Sequence, residues 1–263
     1  MRATLIVPTL NEGGSIGHVL ATFRAAADRA NGTVFRDDPL AWELLVVDGA
    51  SSDDTVARAE AAGARVIVER RRGYGRAYRT GFAAAGGEIL ATADGDATYP
   101  VETIPDLVER LLRERLDFVT GNRMAFLDRR SMTTEHRVGN RVLNLFVGLA
   151  YQRYLREVVG GPLRDSQSGF WVFRREVLDR VQLTQDGMAF SEELKIEAVV
   201  RGFRVAEVPI RYGERWGVPK LSSWRDGIRN LFFLVTKRFD IAREERHDAG
   251  PRAREAPNGA SPP

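Results

Sequence analysis

The chain of 263 residues is 43% hydrophobic and carries 39 Lys and Arg against 36 Asp and Glu, a formal charge of +3. That length holds one sizeable α/β core and is short for two full domains. The absence of cysteine excludes disulfides and thiolate metal sites and suits a reducing compartment, and only His18, His136 and His247 are on hand for a histidine metal site.

"ATLIVPTLNE" (3–12) reads as a short buried strand broken by Pro8. "GSIGHVLATFRAAADRA" (14–30) places Ile16, Val19, Leu20 and Phe23 at helical spacing. "WELLVVDGASSDDT" (42–55) is a second buried strand ending at Asp48, with Asp53 or Asp54 positioned to cap a helix from Thr55. "RVIVE" (65–69) is a third strand, and "YGRAYRTGFAAAG" (74–86) a helix ended by Gly86-Gly87. "EILATAD" (88–94) is the fourth strand. Pro100 opens a helix with Ile104, Leu107, Val108, Leu111 and Leu112 on one face, and "DFVTGNR" (117–123) is the fifth strand. An amphipathic, Arg-rich helix spans 134–155. A strand follows at 168–176, a helix at 191–202, a strand at 203–213 and a last amphipathic helix at 223–239. From Arg243 onward Pro, Gly, Ala and charge dominate, which predicts a disordered tail over 243–263.

Strands alternating with helices predict a mainly parallel sheet flanked by helices, with ligands bound at the carboxyl ends of the strands. The polar residues fall there: Asn11-Glu12, Asp48, Asp94-Asp96 and Arg123 each follow a strand. No apolar run approaches the roughly 18 residues that span a bilayer. The N-terminus enters a strand at once, without a signal-peptide layout. The expectation is a cytoplasmic protein, or one bound to a membrane face. Between Arg123 and Arg164 there are eight arginines against three acids, although Arg outnumbers Lys so heavily throughout that codon usage accounts for part of this.

In Asp94-Gly95-Asp96, alternate residues of an extended chain point the same way, so both carboxylates face one point. Mg²⁺ and Mn²⁺ commonly take one or two carboxylates plus substrate phosphates. Alone the triplet would read as a solvated acidic turn; the preceding strand and the acids at other strand ends favour a metal. Asp48 reads either as a ligand for ribose or a base edge, or as a turn former. "ERRRGYGRAYRTGF" (69–82) sets Arg76 and Arg79 beside a glycine-rich turn at a helix N-terminus, as a phosphate contact or as a solvated basic loop. Its "GYGRAY" has Tyr78 in place of a third glycine and follows the third strand, which disfavours a dinucleotide site.

The ordered blocks "IVPTLNE", "LLVVDGASSDDT", "GYGRAYRTGF", "ATADGDATYP", "VTGNRM", "DSQSGFWVF" and "EVPIRYGERWGVPKLS" resemble the family 2 glycosyltransferases, most closely the polyprenyl-phosphate (dolichol-phosphate) mannosyl- and glucosyltransferase branch. The similarity spans residues 3 to about 225. It implies a GT-A, Rossmann-like fold over 1–242, with a nucleotide-sugar half (1–122) and an acceptor half (123–242) bearing amphipathic interface helices. It implies an inverting hexose transfer from UDP- or GDP-hexose. Residue by residue, Pro8, Leu10 and Glu12 line the base and Asp48 meets the nucleoside. Asp94 and Asp96 hold Mg²⁺ or Mn²⁺ and the donor pyrophosphate. Arg123 binds an acceptor phosphate, joined by Arg137 and Asn140, and by His136 and Arg141 within a one-residue uncertainty of alignment. Arg215 and Lys220 belong to a basic closing loop on the donor phosphates. Two departures stand out: Asp48-Gly49 where many relatives carry two acids, and Thr98 where some have a further ligand at the metal, so the third metal ligand here is Thr98, water or phosphate.

The acceptor decides whether a general base is needed. A hydroxyl must lose a proton to a positioned carboxylate, for which Glu192, Glu193 and Asp165 are on hand; Glu192 and Glu193 also read as plain helix N-terminal charge. A phosphate monoester, with its second pKa near about 6, needs cations instead. The basic segment from Arg123 to Arg164 suits a lipid phosphate, so the expected partners are a nucleotide sugar, a polyprenyl phosphate and a membrane surface, with no nucleic acid. "LNLFVGLAY" and "IRNLFFLV" suit a membrane interface or packing on the sheet. A hydroxyl acceptor is the alternative. Sugar nucleotidyl transfer lacks its Lys/Arg-bearing phosphate loop in "PTLNEGGS", and the intact strand-end acids argue against a non-catalytic docking protein. Sugar, nucleobase and oligomeric state stay open.

Overall fold

The structure, a computed structural model, describes residues 1–126, 134–159, 161–216 and 223–252. Three strands, β1 (Arg2–Thr9), β2 (Ala41–Asp48) and β4 (Ile89–Thr92), are mostly apolar because they lie between two helical layers. The crossovers are α1 (Ile16–Asn31), α2 (Thr55–Ala61) and α3 (Tyr74–Ala84), with the short β3 (Arg65–Val68) at the rim. A single 3-10 turn leads into α4 (Ile104–Arg113), then β5 (Phe118–Phe126), α5 (Thr134–Ala150) and α6 (Gln152–Val158). The chain continues through β6 (Trp171–Arg174), α7 (Phe190–Val200), β7 (Val205–Arg211) and α8 (Ser223–Arg252).

The seven strands lie in the order β3-β2-β1-β4-β6-β5-β7. All neighbours are parallel except β6, which is antiparallel to both β4 and β5. Trp171, the first residue of β6, therefore stands beside Thr92 at the end of β4 and Thr120 in β5. The reversal brings the segment before β6 to the edge where β1, β2 and β4 end.

Alternation along β1 sends Leu5 and Val7 to one core and Ile6 to the other. The first core closes with Val19, Leu20 and Phe23 of α1 and Val108 and Leu111 of α4. The second closes with Tyr78 and Phe82 of α3, Phe190 and Leu194 of α7, and Trp171. Fully burying one such apolar side chain contributes about 1.5–3 kcal/mol.

Two expectations are corrected. The helix foreseen over 134–155 breaks at Tyr151, whose phenol donates to Leu234 O at 3.0 Å in α8. The last helix passes residue 239 and runs to Arg252, so 243–252 is helical where disorder was expected. Helix-forming "AREER" carries it on, and Glu244 and Glu245 are anchored to Arg201 (3.0 Å) and Tyr154 (2.6 Å). Residues 253–263 lie outside the described residues.

Candidate active site

β1, β2 and β4 each give way to a non-glycine residue in the left-handed region: Asn11 (φ 51°), Ala50 (φ 60°) and Ala97 (φ 63°). Each costs on the order of 1–3 kcal/mol and persists only where its surroundings dictate it. Asn11 is locked across the strand ends, its N–H donating to Ser51 Oγ and its Oδ1 accepting from the Ser52 N–H, both at 2.8 Å. Ala97 sits inside a turn closed by Asp96, whose Oδ1 accepts from the Thr98 N–H (3.1 Å) and hydroxyl (2.6 Å).

This turn presents the acid pair. Gly95, between the acids, has no room for a side chain: a Cβ would lie 2.8 Å from Thr9 Cγ2. Its carbonyl accepts from Ser15 Oγ at 2.7 Å. Asp94 Oδ1 accepts from the Tyr74 hydroxyl at 3.2 Å. Asp96, 2% exposed, faces Arg215, with Nη2 2.9 Å from Oδ2. Burial and the adjacent Asp96 charge push the Asp94 carboxyl up to about 7, against the pull of Arg215 and Arg123. Two acids so crowded gain from a further cation. Among the described residues no third acid or histidine joins them. Two carboxylates with phosphate and water completing the sphere suit Mg²⁺ or Mn²⁺, so the residues fit such an ion. The Thr98 hydroxyl, offered with water and phosphate as a third ligand, donates to Asp96 Oδ1 and keeps its oxygen lone pairs.

Arg123 on β5 is nearly buried and grips Asp165 through Nε (2.8 Å), Nη2 (2.9 Å) and its backbone N–H (2.9 Å). Its guanidinium lies over the Tyr212 ring, 5.3 Å from the centroid. Burial alone would raise the Asp165 carboxyl, but Arg123 holds it below the ordinary carboxylate range. The Asp165 carbonyl accepts from the buried Lys195 ammonium at 2.7 Å.

Glu192 and Glu193 open α7, yet both are 0% exposed, so they are not solvated helix-terminal charge. Glu193 accepts from the Thr184 N–H (2.9 Å) and hydroxyl (2.7 Å) and from the Gln185 N–H (2.9 Å), which makes it a clamp for that segment. Glu192 Oε1 is met at longer range by Gln167 Nε2 (3.3 Å) and Ser166 Oγ (3.4 Å), while Oε2 is buried without a hydrogen-bond partner. Burial pushes its carboxyl up to about 7.

Other expected residues distribute as follows. Pro8 pairs with Val47 in the sheet, Leu10 is exposed at the strand end, and the Glu12 side chain lies by Gly95. Asp48 is fully buried and accepts from Thr9 Oγ1, Ser51 N and Ser51 Oγ. Arg76 and Arg79 both pair with Asp186. On α5, Asn140 is buried and Arg141 exposed. His136 and Arg137 belong to the first turn of α5, their side chains outside the description; Lys220 lies outside the described residues. Tyr74, Tyr99, Tyr212, Asp186 and Lys195 were not foreseen. The local signal was tyrosine beside glycine: Tyr74 between Gly73 and Gly75, and Tyr212 before Gly213.

Residues 4–182 match the family model described as "Glycosyl transferase family 2". The chain is 33% identical over 224 residues to the dolichyl-phosphate hexose transferase of Haloferax volcanii, covering 85% of this chain and 88% of that one. It is 30% identical to the low-salt glycan biosynthesis hexosyltransferase Agl6 of the same organism, over 88% of this chain but only about half (52%) of that protein. Among solved structures, glucosyl-3-phosphoglycerate synthase from Mycobacterium tuberculosis, in complex with Mn²⁺, UDP-glucose and phosphoglyceric acid, superposes with a TM-score of 0.69 at 23% identity. That superposition covers 90% of this chain and 79% of the other, and it shows the same GT-A fold. A strand-end acid pair on this fold, together with the family match over most of the chain, identifies the protein as a glycosyltransferase belonging to family 2.

Proposed function

We propose that the enzyme transfers a hexose, with inversion, from UDP- or GDP-hexose to a polyprenyl (dolichyl) phosphate at the cytoplasmic face of a membrane, using Mg²⁺ or Mn²⁺. The carrying observation is the Arg123–Asp165 pair: the carboxylate that follows Arg164 at the end of the basic segment is committed to a guanidinium and held ionised, a poor base. A phosphate acceptor needs no base, and the relative in Haloferax volcanii is named for such an acceptor.

Asp94 and Asp96 would hold the ion, which when bound supplies charge neutralisation to the departing diphosphate. Pro8, Leu10, Glu12 and Asp48 would line the nucleoside. Arg215 and Lys220, with Arg76 and Arg79 if they leave Asp186, would meet the donor phosphates. Arg123, which keeps Nη1 outside its Asp165 pair, would meet the acceptor phosphate together with His136, Arg137, Asn140 and Arg141.

No helix among the described residues is long and apolar enough to cross a membrane. Packed together, α5 and α8 leave Leu145 (65%), Leu149 (68%), Phe232 (69%) and Phe239 (68%) exposed, with Arg141 beside them. Such a face suits insertion at a lipid interface.

A hydroxyl acceptor is the second reading. Glu192 favours it, since a carboxyl near 7 is matched to general-base work. The test is a panel of UDP- and GDP-hexoses with a short-chain polyprenyl phosphate and Mg²⁺ or Mn²⁺. Formation of the lipid-linked sugar is expected. No product from a well-folded sample across the panel overturns the proposal.

A further inference from the structure

The two acids of the pair are held differently. Asp96 is fixed by its own turn and by Arg215, whereas Asp94 receives its hydrogen bond from a distant part of the chain. Tyr74 is the first residue of α3, partly buried, and is held by its neighbours. Gly73 before it has φ 143°, a conformation that glycine alone adopts readily. Gly75 after it packs against Phe190, where a Cβ would lie 2.6 Å from Phe190 Cβ. The Tyr74 ring meets Tyr78 edge-on at 4.9 Å, with the two hydroxyls 3.4 Å apart.

A further neighbour is Gly169, in the segment that the reversed β6 brings to this edge. A Cβ on Gly169 would lie closer than 3.0 Å to the Tyr74 hydroxyl oxygen, while the next ring atom, Cζ, is at an ordinary 3.4 Å. Gly169 lies outside the left-handed region, so its backbone does not itself demand glycine. Its N–H donates to the Tyr99 hydroxyl at 2.8 Å, which fixes the segment in place.

We infer that Tyr74 is a positioning residue that aims the Asp94 carboxylate, and that Gly169 is glycine because the Tyr74 hydroxyl fills the space a side chain would take. The role rests on the cation site proposed above. Groups that hydrogen-bond a metal-ligating side chain typically change metal affinity by about 10–100-fold when removed.

The experiment is a Mn²⁺ titration followed by electron paramagnetic resonance of the free ion, without nucleotide and with UDP or GDP. Tyr74→Phe is expected to weaken Mn²⁺ binding about tenfold while the melting temperature stays nearly constant. Gly169→Ala is expected to weaken it at least as much. Combined with Tyr74→Phe, which removes the clashing oxygen, Gly169→Ala should cost nothing further. Asp94→Asn serves as the reference. If it leaves Mn²⁺ binding intact, the cation site itself is wrong. If Asp94→Asn weakens binding and Tyr74→Phe does not, the site stands and the positioning role falls. Additive losses in the double variant overturn the account of Gly169.

Discussion

Arg215 Nη2 lies 2.9 Å from Asp96 Oδ2, so the segment after β7 delivers a cation to an acid at the end of β4. The same segment is pinned twice more, by Gly213 N–H to Thr98 O (2.8 Å) and Trp216 N–H to Asp96 O (3.1 Å). If this guanidinium serves the leaving diphosphate, Arg215→Ala lowers kcat/KM for the donor by about 10²-fold, the usual size for one charge-stabilising donor. Steady-state kinetics with the donor varied checks this; an unchanged kcat/KM removes Arg215 from the donor site.

The Arg123–Asp165 pair makes a stability prediction. Asp165→Asn keeps the shape but leaves Arg123 buried without its counter-charge, at a cost of about 3–5 kcal/mol. For a domain of this size that lowers the melting temperature by roughly 6–20 °C. Asp165→Asn combined with Arg123→Met should recover part of the loss in calorimetry, because no stranded charge remains.

Glu192 makes a pH prediction. An unfolded glutamate ionises near 4.5, whereas burial holds this one protonated up to about 7. Between those values the folded state keeps a proton that the unfolded state has lost, so stability falls as pH rises through that window and the loss is complete above it. Glu192→Gln should therefore flatten the slope of melting temperature from pH 4.5 to 7. At pH 8 it should be more stable than the parent by on the order of 2–3 kcal/mol. Its activity divides the two acceptor classes: full hexose transfer by Glu192→Gln excludes Glu192 as a base.

Exposed leucines on α5 offer a test that does not touch the core. Leu145→Asp with Leu149→Asp should leave the melting temperature nearly unchanged, as surface substitutions usually do. It should cut co-sedimentation with anionic phospholipid vesicles at least about tenfold, since each buried leucine contributes about 1.5–3 kcal/mol. Undiminished vesicle binding would remove this face from the membrane contact.

The pattern of the chain was informative where local chemistry decides. Aliphatic runs ending in acids located β1, β2 and β4 and placed Asp94 and Asp96 at one edge of a mainly parallel sheet. Long-range choices were not readable. That Arg123 would spend two side-chain nitrogens on Asp165, 42 residues on, depends on β6 running backwards, and its four residues have no periodicity to announce a direction. Arg76 and Arg79 looked like free cations because Asp186 is more than a hundred residues away in sequence. Glu192 and Glu193 read equally as a base or as helix-terminal charge, because local sequence does not show that α7 is buried almost from end to end.

The single reversed strand also sets a gauge. β6 separates β4 from β5, so the end that bears Asp94 and the strand that bears Arg123 stand two hydrogen-bonded strand spacings apart, about 10 Å. If the donor phosphate sits beyond the first and the acceptor phosphate beyond the second, as proposed, the interval between reactants is a property of the sheet, not of any loop. Retuning which sugar or lipid is accepted would then need only new connecting segments, while altering the interval itself would require a different order of strands.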